Sequence, residues 1–137
     1  EAQSVNLAFG KNATQSADMG RPFAAADGLA FKAVDGATDG SWNNGSVTST
    51  ACGVDATNEC RGSTNPWWQV DLGGEFIVER LQIWNRTDCC SDRLDNYRIW
   101  VKGNIGNWEE YDTRLGAQRF SQQNPLTING RKSARFV

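Results

Sequence analysis

The stretch Asn85-Arg86-Thr87-Asp88-Cys89-Cys90-Ser91-Asp92-Arg93 constrains this chain more than any other. Two adjacent cysteines stand there between two arginines and two aspartates, an unusual content for a plain connecting loop. On one side Glu79-Arg80-Leu81-Gln82-Ile83-Trp84 alternates apolar and polar residues, and on the other Asn96-Tyr97-Arg98-Ile99-Trp100-Val101-Lys102 does the same, which is the period of a strand. The loop therefore joins two strands at the rim of a sheet. Rigid strands presenting a polar, charged loop are a common plan for a binding site.

The rest of the chain reads as further short strands between turns. Asn6 to Ser16 is expected to form the first, and Ala24 to Ala30 one helical turn. In Pro66-Trp67-Trp68-Gln69-Val70-Asp71-Leu72-Gly73-Gly74, Trp68, Val70 and Leu72 share a face that points into the core, and the two glycines are expected to end the strand. Phe76-Ile77-Val78, a strand from Trp108 to Asp112, and two strands at Pro125 to Asn129 and Ala134 to Val137, divided by Gly130, complete the series. Many short strands with little helix indicate an all-β sandwich or barrel.

With 137 residues the chain has room for one domain with a proper core. A formal net charge of -2 and a pI near 5.1 provide no basic field for nucleic acid or an anionic membrane. Ten arginines against four lysines favour bidentate or stacking contacts. Histidine is absent, which removes the commonest general base and transition-metal ligand. Four cysteines suggest an oxidising compartment, and Asn12-Ala13-Thr14, Asn44-Gly45-Ser46 and Asn85-Arg86-Thr87 have the form of glycosylation acceptors. No apolar run is long enough to span a bilayer. The first residue is not Met and no signal-peptide core follows it, so a processed or excised form is expected.

Two other stretches carry candidate chemistry. Phe31 to Gly40 contains two Asp-Gly pairs, at Asp35 and Asp39, whose tight turns are either plain surface turns or an oxygen cage suited to calcium. Ser41 to Asn65 is a long polar excursion, a length at which loops are usually functional or disordered. Cys52 and Cys60 could close a small loop within it, and Trp42 either covers an end of the core or meets a ligand.

Several of these pieces taken together resemble one family. Asn6-Leu7-Ala8, Gly10-Lys11-Asn12-Ala13-Thr14-Gln15-Ser16, Ala33-Val34-Asp35-Gly36, Asn65-Pro66-Trp67-Trp68-Gln69-Val70-Asp71-Leu72 and Asn85-Arg86-Thr87-Asp88-Cys89-Cys90 with Arg93-Leu94 are similar to the F-type lectins, or fucolectins, of the discoidin-like class. The resemblance runs in register from Asn6 to about Lys102 and more weakly to Val137. It implies an eight-stranded antiparallel β-sandwich, a discoidin-like jelly roll, spanning residues 1–137 with a loop-borne fucose site at one end. Arg86, Asp88 and Arg93 stand where the family has its sugar motif, with guanidinium donors on the sugar oxygens and the carboxylate aiming an arginine. Four cysteines allow three pairings, and adjacent cysteines can also take separate distant partners; the resemblance implies a vicinal Cys89–Cys90 disulfide whose flat face packs on the sugar, together with Cys52–Cys60. Trp42 or Phe31 would shelter the sugar's methyl group. Asp35 by side chain and Lys32 and Ala37 by carbonyl are implied calcium ligands, with Asp39 an additional candidate.

The chain departs from the family in two ways. The family's sugar motif begins with an upstream histidine, and here Arg61 occupies that region, so a sulfated fucose is a candidate ligand beside the neutral sugar. Family domains also continue beyond the equivalent of Val137 into a last strand with a cysteine and an acidic calcium ligand, which this sequence does not reach. The reading is then a secreted, calcium-dependent lectin for fucosylated glycans, not an enzyme, gaining avidity from oligomers or tandem copies. Its alternatives are a carbohydrate-binding module of a larger glycosidase or adhesin, and a discoidin-like protein- or lipid-binding domain.

Overall fold

The computed structural model describes residues 5–16, 28–50, 65–91, 94, 97–114 and 125–137. Its longest element follows from the alternation around Val70: Trp68–Ile83 is one strand of 16 residues. It is called β2, after β1 at Asn12–Gln15, and is followed by β3 at Tyr97–Val101, β4 at Glu109–Arg114 and β5 at Leu126–Phe136. One 3₁₀ helix, Ala30–Ala33, is the only helical element among the described residues.

The strands form two antiparallel sheets. One has the order β1-β2-β5 and the other is the pair β3-β4. Val70, Leu72 and Val78 from β2 meet Val101 from β3, Ala134 from β5 and Val34 from the loop after the 3₁₀ helix in one buried cluster. Ile99, Leu126 and Ile128 form a second cluster, and Leu81, Tyr111 and Val137 pack against both. The two sheets thus close over a shared core, as a β-sandwich does. Val101, 1% exposed, lies at its centre. The inward Ile99 and Val101 alternate with the outward Arg98 and Trp100, as the period of β3 predicts. The described residues form five strands, short of the eight expected.

Three boundaries differ from expectation. Gly73 and Gly74 do not end a strand. Gly73 has φ +84°, and the β2-β5 register shifts between Asp71 and Phe76, so the glycines form an irregularity inside a strand that continues. The first strand is shorter than Asn6 to Ser16, because Leu7 to Gly10 fold as turns that send the Gly10 N–H to the Val34 carbonyl at 2.7 Å. At the other end Gly130 does not separate two strands, and β5 runs through it. Smaller offsets of one or two residues occur at β3 and β4. Of the helical turn expected at Ala24 to Ala30, residues 24–27 lie outside the described residues, and Ala30 instead begins the 3₁₀ helix.

β5 has 11 residues and so spans roughly 35 Å, which separates two poles of the sandwich. At one, Ile83 pairs with Leu126 and β2 runs out into the loop beginning at Asn85. At the other, Asp71 lies opposite Phe136 and Lys102 bridges to Phe136. There the Arg135 guanidinium forks onto the Asp71 carboxylate with bonds of 2.9 and 3.1 Å, donates to Asn104 Oδ1 at 3.1 Å and lies over the Phe136 ring at 5.2 Å.

Candidate functional site

The loop after β2 is built on Asn85. This side chain is 7% exposed, and both its polar atoms are used: Oδ1 accepts the Arg86 N–H at 2.7 Å, and Nδ2 donates to the Ser91 carbonyl at 2.8 Å. A short asparagine can bridge its own turn in this way, which folds residues 85–91 back on themselves. Within that bend Cys89 and Cys90 are joined in a vicinal disulfide, with Cys89 exposed and Cys90 at φ +60°. The adjacent pairing implied by the resemblance is therefore present. Cys52 and Cys60 lie outside the described residues.

Next to the disulfide stands a compact charged group. Arg86 Nε donates to Asp88 Oδ1 at 2.5 Å and its Nη2 to Asp88 Oδ2 at 3.4 Å. The same Asp88 Oδ2 accepts the Trp42 N–H at 3.0 Å, and the Arg86 guanidinium lies 5.1 Å from the Trp42 ring centroid. One face of the arginine is therefore stacked and one edge is neutralised. The hydrogen bond from Arg86, followed by that from the Trp42 backbone, holds the Asp88 carboxyl below its usual range, so it is charged at neutral pH.

Trp42 reaches this group because the turn that carries it docks on the loop. The Thr87 N–H donates to the Gly40 carbonyl at 2.9 Å and the Thr87 hydroxyl to the Asp39 carbonyl at 2.6 Å. Gly40 has φ +67°, and a Cβ there would lie 2.5 Å from the Asn85 carbonyl oxygen, so the contact requires glycine. The Asp39 carboxylate organises the turn from inside. It accepts the Ser46 hydroxyl, the Asn44 amide at 2.8 Å and the Ser41 N–H at 3.2 Å, and these donors lower its pKa in that order.

The structure thus brings together Arg86, Asp88, Cys89, Cys90 and Trp42, which are far apart in sequence only for Trp42. Arg93 and Arg61 lie outside the described residues. Phe31 stands exposed on the 3₁₀ helix. Sequence reasoning overlooked Asn85, Gly40, Ser46 and Thr87 as site builders. The available signals were a polar residue directly after an apolar strand, and an Asp-Gly turn followed closely by Asn-Gly-Ser.

The implied calcium ligands fall in one bend. The Asp35 Oδ1 accepts the Ala37 N–H at 2.9 Å, and Lys32 lies in the last turn of the 3₁₀ helix before it, its Nζ reaching the neighbourhood of Gly45. A carboxylate with backbone carbonyls is an oxygen-only set, which fits a hard cation. Asp39 fits less well, because a cation would have to displace its three donors. Among the described residues no cluster of three or more His, Cys, Asp or Glu side chains could hold a metal. No helix among them is long and apolar enough to cross a membrane.

Comparison with known proteins agrees with this architecture. The profile of the F5/F8 type C family described as NedA-like, galactose-binding domain matches residues 32–137. Fucolectin-4 of Anguilla japonica is 35% identical over 102 residues, 74% of this chain and 50% of its own length. Fucolectin of Anguilla anguilla is 37% identical over 101 residues, 74% and 54%. The chain spans about half the length of the curated relatives it matches. Among solved structures, the lectin domain of lectinolysin complexed with Lewis b antigen superposes with a TM-score of 0.74 at 28% identity, over 98% of this chain and 84% of that one. The fucolectin from Morone saxatilis serum superposes with 0.70 at 29% identity, over 96% and 41%. Built on the same sandwich and matching its profile over most of its length, the chain belongs to the F5/F8 type C family of NedA-like, galactose-binding domains, within which it is similar to the F-type lectins.

Proposed function

We propose that this chain is a carbohydrate-binding lectin module that takes L-fucose or terminal fucosyl groups of glycans in a secreted or extracellular setting and performs no chemistry on them. The observation that carries the reading is the arginine fixed beside the vicinal disulfide. Arg86 is stacked on Trp42 and clamped by Asp88, and the exposed Cys89 flanks it. A guanidinium held in one orientation offers N–H donors to adjacent sugar oxygens without a further loss of side-chain entropy, and a disulfide offers a flat apolar surface to a deoxy sugar's methyl-bearing face. Arg93 supplies a second set of donors. Similarity to known sugar binders supports the ligand class: fucolectins, and a fucose binding module of Streptococcus pneumoniae at 27% identity.

Calcium is part of the proposal. Asp35, with the carbonyls of Lys32 and Ala37, would hold the ion, which when bound supplies rigidity to the bend beside the ligand turn. With a single carboxylate its affinity belongs at the weak end of calcium sites. A small sugar buries little area, so single-site affinity is weak and repeated copies supply avidity.

A glycan array carrying plain and sulfated fucosides, read with and without chelator and repeated on Arg86→Ala, tests this reading. Retention of fucosylated glycans by the wild type and their loss in the variant is the expected result. Indifference to Arg86→Ala would remove the site assignment, and unchanged binding and melting temperature in chelator would remove the calcium. Tighter, more salt-sensitive binding of sulfated fucose would show that the additional arginines, Arg93 and Arg61, recruit the anion.

A further inference from the structure

We infer that Asn12 is the N-glycan acceptor of this chain, and that Asn44 and Asn85, which carry the same tripeptide signal, are closed to modification in the folded protein. Three Asn-x-Ser/Thr tripeptides occur, and sequence alone ranks them equally. Their surroundings differ sharply.

Asn85 is almost wholly buried, and its amide nitrogen is committed to the Ser91 carbonyl. Attaching a sugar there replaces an amide hydrogen and requires a hexose where the loop backbone already lies. A chain modified at Asn85 cannot form the bend that holds Arg86, Asp88 and the disulfide. Asn44 is exposed like Asn12, but it sits on the turn that carries Trp42, with its amide on the Asp39 carboxylate and the hydroxyl of its partner Ser46 buried on the same carboxylate. A glycan there would crowd the approach to the ligand group.

Asn12 meets none of these obstacles. It and Thr14 are both exposed, two residues apart and so on the same face of β1, while Ala13 between them packs toward the core. β1 is the outer strand of its three-stranded sheet among the described residues, and the Asn12 side chain projects from the face turned away from the core. Asn12 pairs with Asp71, at the pole far from Asn85. A glycan on this strand would leave the ligand loop clear.

The donor is an oligosaccharide linked to a polyprenyl pyrophosphate in a glycosylating secretory route. The bond from the anomeric carbon to the pyrophosphate oxygen breaks, a bond from that carbon to Asn12 Nδ2 forms, one amide proton leaves, and the lipid pyrophosphate departs with the electron pair. The inference does not depend on which ligand the loop takes.

The test is to produce the chain in a eukaryotic secretory host and map glycopeptides after enzymatic deglycosylation in heavy-oxygen water, which marks each formerly occupied asparagine. Thr14→Ala and Asn12→Gln are mapped in parallel. The expected result is a label at Asn12 alone in the natively melting fraction, one glycan's mass lost in both variants, and an unchanged melting profile for Thr14→Ala, which keeps the asparagine. A secreted, folded wild type with Asn12 bare would overturn the inference. So would a label at Asn85 or Asn44 in the folded fraction.

Discussion

Each pole of the sandwich carries an arginine, an aspartate and an aromatic ring in the same mutual arrangement. At the proposed ligand pole these are Arg86, Asp88 and Trp42; at the far pole, Arg135, Asp71 and Phe136. The ion pairs have similar short contacts and similar partial exposure, yet they are assembled in opposite ways. Arg135 and Asp71 come from neighbouring strands whose ladder already fixes their separation, and Phe136 is the next residue along. Arg86 and Asp88 are two residues apart in one loop, and their ring is delivered from a distant turn through Thr87, Gly40 and Asp39. The far group is a consequence of the sheet and reinforces it. The group at the proposed ligand pole exists only while two loops are held together, an arrangement suited to presenting a fixed but accessible arginine.

The largest expected effect that separates the poles is Gly40→Val. The new side chain would meet the Asn85 carbonyl and occupy a left-handed backbone position, at a cost of about 2–4 kcal/mol. Fucoside affinity should fall on the order of a hundredfold or more, while the Arg135 pole keeps its structure. Amide hydrogen exchange would localise the loosening, and protection lost equally along β2 and β5 would contradict the idea that the loops are a separate unit.

Next in size is the pair of matched substitutions Asp88→Asn and Asp71→Asn. Asp88→Asn keeps the shape but frees Arg86 from its clamp and weakens the bond from the Trp42 N–H, so affinity should drop about tenfold with little change in melting temperature. Asp71→Asn should do the reverse, lowering the melting temperature by a few degrees and leaving affinity intact. Titration calorimetry and thermal melts on both variants check the exchange of effects, and equal affinity losses would erase the distinction between the poles.

These two groups were unequally legible in the sequence. The core positions Val70, Leu72, Ile99 and Val101 follow from alternation, because a strand's period is local. Arg86, Asp88, Cys89 and Cys90 were legible as a loop of unusual content between two such strands. The Asp39-Gly40 pair reads locally as a surface or calcium turn and Trp42 as core cover or ligand contact, since nothing local reports that Gly40 will press on Asn85 across 45 positions of chain. The run through Gly73 and Gly74 was missed for the complementary reason: two glycines are locally a stop, but pairing with β5 on the far side of them carries the strand on. What local pattern cannot reveal is a contact whose energy comes from elements distant in sequence.

Acid titration sharpens the comparison with a smaller effect. In the folded protein the Asp88 and Asp71 carboxyls are both held below the usual carboxylate range, the first chiefly by the hydrogen bond from Arg86 and the second chiefly by that from Arg135. A depressed carboxylate contributes stabilisation that is fully present above the unfolded pKa and is lost as pH falls through the folded value. Ligand affinity should therefore stay flat from neutral pH down through the ordinary carboxylate range and decline only below it. In Asp88→Asn the contribution of that pair to the acid limb of binding disappears, whereas Asp71→Asn removes its share only from the acid limb of stability.

The smallest expected effect is Arg135→Lys. Lysine keeps the charge beside Asp71 but cannot reproduce the fork onto both carboxylate oxygens, the bond to Asn104 and the planar stack on Phe136 at once. Because β2 and β5 are registered by their own backbone bonds, the sheet does not depend on the pair, and partly exposed ion pairs stabilise little. The melting temperature should fall slightly, with fucoside affinity unchanged. Arg86→Lys is the matching change at the ligand pole, and there the loss of the fork and stack should weaken fucoside binding severalfold. If the two lysine variants shifted melting temperature alike and left affinity alike, the arginine at the ligand pole would be a structural staple like its counterpart, and the sugar would have to be held by other groups of the loop.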